Sequence, residues 1–268
     1  METIDLSWLD LGLIYSLLVI PLGMMLWLRV GEIRDILVAV VRMTVQLWLV
    51  GLYLKVIFDF NALWLNTLWI LAMLTVANTS MLKQARLVYR RFFVVTFLGT
   101  AAAIVGVAVF FVVAVIRPQP VYDARYLIPI VGMVLGNCMR GNVLSLERFY
   151  AGIRDRETEF ITYQMLGATL MEATRPYMRE ALRAAMGPLV ATMATSGIVS
   201  LPGMMTGQIL GGSFPLTAIK YQLAIIVCIF SAMVIASVCN LLFSLKIGFD
   251  EYGMLRQEIF AGQAGSSG

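Results

Sequence analysis

Seven long apolar runs, separated by short polar segments, leave this chain few folds to choose from. They cover residues 6–28, 36–58, 62–82, 92–116, 127–146, 184–201 and 216–245. About 20 apolar residues wound as a helix cross the hydrocarbon core of a bilayer. With 60% hydrophobic and 13% charged residues, the chain has too little polar surface to stay dissolved as a globule. The runs are continuous rather than alternating, and too long for barrel strands, so a closed barrel is excluded. The fold class is all-α integral membrane: a seven-helix polytopic bundle in a single domain, residues 1–261, followed by a Gly/Ser-rich flexible tail, residues 262–268.

The charge map gives this bundle an orientation. Of 20 Lys and Arg residues, 14 fall in segments that share one side of the membrane if every run spans it. Only Arg117 and Arg125 fall on the other side, and Arg42, Lys55, Arg140 and Lys220 lie inside runs. Basic residues gather on the cytoplasmic side of short-looped membrane proteins, which predicts an outer N-terminus and a cytoplasmic C-terminus in the cell (inner or plasma) membrane. The N-terminus carries Glu2, Asp5 and Asp10 with no basic residue before the first run, unlike a cleaved signal peptide. The net charge of +4 comes from the inner segments and points to anionic membrane lipids as partners rather than nucleic acid.

Several chemistries are excluded or weakened. The chain has no histidine, so imidazole metal ligands and histidine proton relays are impossible. Cys138, Cys228 and Cys239 all fall within runs and read as small packing residues. An intramembrane enzyme would need a nucleophile beside a base, and no such pair is present. A stand-alone secondary transporter would need coupling carboxylates in the membrane, and Asp10 is the one acid well inside a run.

The one long hydrophilic stretch, residues 147–183, holds six basic and six acidic residues. Balanced charge of this kind favours solvated helix over a disordered tail. A short helix over residues 155–166 is expected to stop at Gly167, and Pro176 suits the first turn of a second helix that continues into the sixth run. Arg175, Arg179 and Arg183 recur every four residues and share one face, either solvated against lipid phosphates or docked on an acidic partner. No G-x-x-x-x-G-K-[ST] loop is present, so an ATP-driven process would need another subunit to bind the nucleotide.

Polar residues inside the runs mark a candidate transport pathway. Arg42 and Gln46 are four apart and point the same way, either snorkelling to the inner interface or facing a polar cavity. Lys55 and Lys220 sit near the outer ends of their runs and read as snorkellers. Asn78 and Asn137 require partners, which interhelical hydrogen bonds supply. Gly132 and Gly136 form a G-x-x-x-G that permits a close helix approach. Residues 192–212 carry five glycines, Pro202 and five hydroxyls. Irregular backbone at membrane depth survives only where protein buries it or it lines a cavity. The sixth helix is therefore expected to break near Pro202, with 204–210 as a short helical or re-entrant piece. Ser200, Pro202, Gly203, Met204 and Met205 belong to the pathway on this reading. The two thioethers suit soft cations, or equally flexible packing.

Five stretches resemble the FetB family of ABC-transporter permeases. They are IPIVGMVLGN at 128–137, REALRAA at 179–185, SLPGMMTG at 200–207, AIKYQ at 218–222 and R-x-x-x-Q-L-x-x-V-G-x-x-L-K at 42–55. The resemblance runs from the second apolar run to the seventh. It implies a permease domain that works as a homodimer with two copies of a separate ABC ATPase. ATP and Mg bind that partner and no cofactor binds this chain. It further implies export of metal ions such as iron, with plant relatives in aluminium tolerance; an anionic or sugar-nucleotide cargo stays open. L-G-A-T, at 166–169, resembles the cytoplasmic coupling loop of many ABC permeases, which seats a short helix in a groove of the ATPase. That resemblance implies coupling roles for Leu166, Gly167, Ala168 and Thr169; on the docked reading, the face of Arg175, Arg179 and Arg183 would belong to the same coupling surface. The glutamate usual six residues before the glycine is Ile161 here, with Glu159 nearby.

Overall fold

The computed structural model describes residues 7–260, all of it helices, turns and a few isolated bridges. The expected flexible tail, 262–268, and the acidic residues Glu2 and Asp5 lie outside the described residues. In chain order the helices are α1 (Trp8–Ser16), α2 (Val19–Trp27), α3 (Ile33–Phe60), α4 (Leu63–Gln84), α5 (Tyr89–Phe110), α6 (Ala124–Asp155), α7 (Glu157–Met165), α8 (Leu170–Thr195), α9 (Gly203–Leu210) and α10 (Pro215–Gly248). Six helical segments are long and apolar enough to cross a membrane: Trp8–Trp27, Ile33–Phe60, Leu63–Gln84, Tyr89–Ile116, Ala124–Asp155 and Pro215–Gly248. This is a multi-pass membrane protein.

The first run is not one regular helix. Pro21 has no N–H for the Leu17 carbonyl and its ring crowds that group, so the chain tightens between α1 and α2. There Leu17 and Leu18 donate to Ile14 and Tyr15 at 3.1 Å, three residues back instead of four. The fourth run ends as expected: a π-helical turn, Phe111–Ile116, finishes α5, Arg117 turns left-handed at φ 54° and Pro118 follows.

The sixth run departs most from expectation. Its helix begins at Leu170, because Thr169 and Glu172 form a capping box in which each side chain serves the other's backbone N–H. Pro176 therefore sits in the second turn rather than the first. The helix stops at Thr195, before the expected break near Pro202. Gly197, at φ +89°, turns the chain, and its N–H donates to the Ser200 carbonyl at 2.8 Å. Pro202 then caps α9, the anticipated short piece. The fifth run is longer than its apolar stretch, since α6 continues through the charged residues to Asp155.

The body is α4, α5, α6, α8 and α10, with α10 lying across α5 and α6. Close approach comes at Gly99 and Gly141, not at Gly132 and Gly136. A Cβ on Gly141 would meet Met233 Cγ at 2.5 Å and one on Gly99 would overlap the Asn240 amide, whereas Gly132 and Gly136 face open space. Behind these contacts lies a buried polar knot. Thr100 Oγ1 accepts from Asn142 Nδ2 at 3.2 Å and from Asn240 Nδ2 at 2.9 Å, while Ser237 donates to Asn142 Oδ1 at 3.0 Å. It ties α5, α6 and α10 together at a point where no water competes. By contrast α1–α3 stand apart from the body. α3 touches it through Ile57, buried against Ala124 and Ile128, and through Tyr53, whose ring centroid lies 4.1 Å from that of Trp69.

Candidate functional site: a cleft along α6 and a polar platform

One face of α6 lines two cavities in succession. Towards its N-terminal end a space of about 390 Å³ is bounded by Tyr126 and Met133 of α6, Met204 and Gln208 of α9, and Tyr221 of α10. Gln208 Oε1 is buried there without a hydrogen-bond partner. Further along, a cleft of about 410 Å³ opens between α6 and α8, with Asn137 and Arg140 on one wall, Pro188 and Thr192 on the other, and Met233 of α10 behind. Met133 of the first space and Asn137 of the second are joined by a hydrogen bond, from Asn137 Nδ2 to the Met133 carbonyl at 2.8 Å. The residues in line, 126, 133, 137, 140 and 144, follow the three-and-four spacing of a single helix face.

The expected pathway residues scatter. Arg42 and Gln46 are exposed on α3, two turns or more before the residues by which it touches the body, and line neither cavity. Asn78 meets the interhelical expectation: its Nδ2 donates to the Phe93 carbonyl at 2.9 Å and its Oδ1 accepts from Thr96 at 2.8 Å. It is buried packing glue rather than a pathway lining. Asn137 does not, since its amide bonds Met133 and Arg140 on its own helix. Its place in the cleft stands. Met204 lines the first cavity; Met205, though partly buried, lines neither, and the second thioether there is Met133. Ser200 is exposed in the turn before α9, and Pro202 and Gly203 form the start of α9. Among the described residues no group of three or more Cys, Asp or Glu side chains is placed to hold a metal ion.

The second candidate feature lies outside the apolar spans. α7 ends in a turn where Ala168 N–H returns to the Tyr163 carbonyl at 3.0 Å and Gly167 adopts φ +89°. A glycine takes that left-handed conformation without the steric penalty of a side chain. Thr169 then opens α8. The Thr169 hydroxyl and backbone hold the Glu172 carboxyl below the usual range. Phe160 of α7 is buried against Tyr177 of α8 and Phe249, which fixes the inner face of the element. Arg156 binds Glu180 through both terminal nitrogens, at 3.2 and 2.5 Å, and its guanidinium lies 4.7 Å above the Tyr177 ring. That contact pulls the Glu180 carboxyl down and the guanidinium up.

The tip points outward. Met165 and Leu166 are 83% and 81% exposed, and Gly167 and Thr169 are exposed beside them, with Ala168 half-buried. Glu159 is exposed and accepts only from Tyr163, at 3.1 Å. Arg175, Arg179 and Arg183 are exposed on α8, and no carboxylate among the described residues pairs with them.

Sequence reasoning missed the chain's C-terminal turn. Gln164 Nε2 donates to the Gly253 carbonyl at 2.9 Å, and Glu258 pairs with Arg91 at 2.6 Å. The turn thus clamps α7 and the start of α5 into one body outside the apolar spans. Arg140, too, reads from the sequence only as a charge inside a run. The i, i+3 spacing of Asn137 and Arg140, with Met133 four residues earlier, was the signal available.

Residues 8–249 match the profile of the family described as "Uncharacterised protein family (UPF0014)". The chain belongs to the UPF0014 family. Among its UPF0014 relatives, the membrane protein slr1647 of Synechocystis is 35% identical over 222 residues, 83% of this chain and 86% of that one. The Escherichia coli "Probable iron export permease protein FetB" is 32% identical over 192 residues, 72% of this chain and 73% of its own. The Arabidopsis thaliana "Protein ALUMINUM SENSITIVE 3" is 28% identical over 231 residues, covering 85% and 82%. No solved structure matches the chain. The resemblance to the FetB family read from the motifs is therefore borne out: this UPF0014 membrane protein is a homologue of a protein named as a probable permease.

Proposed function

We propose that this chain is the membrane subunit of an ATP-driven exporter, working as a homodimer with a separate ABC ATPase that carries ATP and Mg. The reading places its N-terminus outside and its C-terminus in the cytoplasm of the cell membrane. α8, with the turn and α9 after it, then serves as the sixth crossing of seven. The cargo is a metal ion, iron by analogy with the name of the E. coli relative. The observation that carries the proposal is the tip of α7: two large apolar side chains held out beyond the membrane, on an element fixed by a left-handed glycine and a capping box. Apolar side chains in water call for a partner surface, and a short helix with a rigid root can pass a push from that partner into α6 and α8. The open faces of Gly132 and Gly136 on α6 leave room for a second copy.

Gly167→Trp tests the reading. It puts a bulky side chain at φ +89°, with open space around it, so the strain stays in the turn. The expected outcome is a folded, inserted protein that no longer co-purifies with its ATPase. Undiminished complex formation and transport would overturn the coupling assignment.

A further inference from the structure

Arg140 sits in the middle of α6, 16 residues from Ala124 and 15 from Asp155. Its nearest carboxylate in sequence, Glu147, is two turns on, about 10 Å along the axis. The guanidinium does not reach towards it. Arg140 Nη2 donates to Asn137 Oδ1 at 2.9 Å, one turn nearer the N-terminal end of α6. The side chain thus turns deeper into the membrane-spanning part of the helix, away from the closest charged end. Long basic side chains that merely tolerate a membrane do the opposite and snorkel outwards.

Among the described residues no carboxylate pairs with Arg140, and Asp10, the one acid well inside a run, is held by Ser7 in the capping box of α1. There is no Asp or Glu at 60–122, at 124–146 or at 181–249. The ion pairs of the described residues join Arg91 with Glu258, Arg154 with Asp155 and Arg156 with Glu180. The charge is thus left open to a molecule other than this polypeptide. The cleft has the space and the donors for one. Arginine carries five N–H groups and only one is spent on Asn137; the second amide N–H of Asn137 is also free of the Met133 carbonyl.

We propose that the Asn137–Arg140 cleft is an oxyanion-binding site at membrane depth, taking a carboxylate or phosphate group. Planar, bidentate recognition of such groups is what a guanidinium does best. Taken with the permease reading, on which this last step rests, the site gives the cargo its chemical form. A metal ion passes Arg140 as an anionic complex and not as a bare cation. A lipid phosphate from the surrounding leaflet is the other source of the same chemistry.

The test uses the full chain without any ATPase, so its outcome is independent of whether α7 docks a motor. In an uncharged maltoside detergent, citrate and inorganic phosphate are titrated by calorimetry; in a second arm, native mass spectrometry counts phosphatidylglycerol retained from mixed micelles. Arg140→Gln is expected to weaken binding about tenfold or more, the loss typical of one charged hydrogen-bond partner. Arg140→Lys keeps the charge without the planar fork and falls between. Loss of citrate or phosphate binding marks a soluble anion, and loss of phosphatidylglycerol alone marks a lipid. No anion or lipid binding by the wild type, or equal binding by wild type and Arg140→Gln, overturns the proposal. Should Arg140→Gln fail to fold, Arg140→Lys and Asn137→Leu carry the same comparison.

Discussion

Thr100→Val isolates the polar knot of the membrane core. The two side chains have nearly the same shape, so no cavity opens, and the change removes one oxygen. That oxygen is the acceptor for Asn142 Nδ2 and Asn240 Nδ2, both on residues that are 0% exposed. Two amide donors lose their partner at once. In water-soluble proteins each would cost about 1–3 kcal/mol. In membranes the unfolded helices find other partners, and single interhelical bonds average nearer 0.6 kcal/mol with a ceiling of about 2. The expected loss for the pair is about 1–3 kcal/mol. The control is Thr79→Val, whose hydroxyl is exposed and donates to the Thr75 carbonyl of its own helix at 2.8 Å. It should stay within about 0.5 kcal/mol of wild type. Unfolding of both variants by SDS in mixed micelles measures the difference. If Thr100→Val is as stable as Thr79→Val, the knot does not hold α5, α6 and α10 together and the argument fails.

Two further outcomes follow from the polar platform around α7. Glu172 and Glu180 both have carboxyls held below the ordinary range, by Thr169 and by Arg156 respectively. Their contribution is complete above that range and disappears as pH falls through the depressed values. Hydrogen-exchange protection of the 165–172 amides, measured against their intrinsic exchange rates at each pH, should therefore fall on acidification below about pH 4, and Glu172→Gln should blunt the change; protection that does not change with pH would refute it. Gly253→Ala places a Cβ 2.6 Å from Gln164 Nε2, at a residue with φ +77°. It should detach the C-terminal turn from α7, read as faster proteolysis near Tyr252, and trimming Gln164 to Ala should not restore protection because the backbone strain remains.

The sequence by itself determined the class of protein and much of its layout. Uninterrupted apolar runs can only be helices in lipid, since a backbone without water must satisfy its own hydrogen bonds. The stop at Gly167 was legible because so few other residues take its conformation, and α9 was legible from Pro202 and its glycines. The Thr169–Glu172 box was also there to be read, and it, not Pro176, sets the start of α8. Which polar residues meet was not legible. Asn78 and Asn137 look alike in sequence, yet one bridges α4 to α5 and the other serves its own helix beside Arg140. Arg42 and Arg140 each lie inside an apolar run, and only the packing of α6 against α8 and α10 gives one of them a cleft while leaving the other on an exposed helix. Periodicity says which way a side chain points along its own helix; what stands opposite depends on how distant segments pack, and that is a property of the assembled fold.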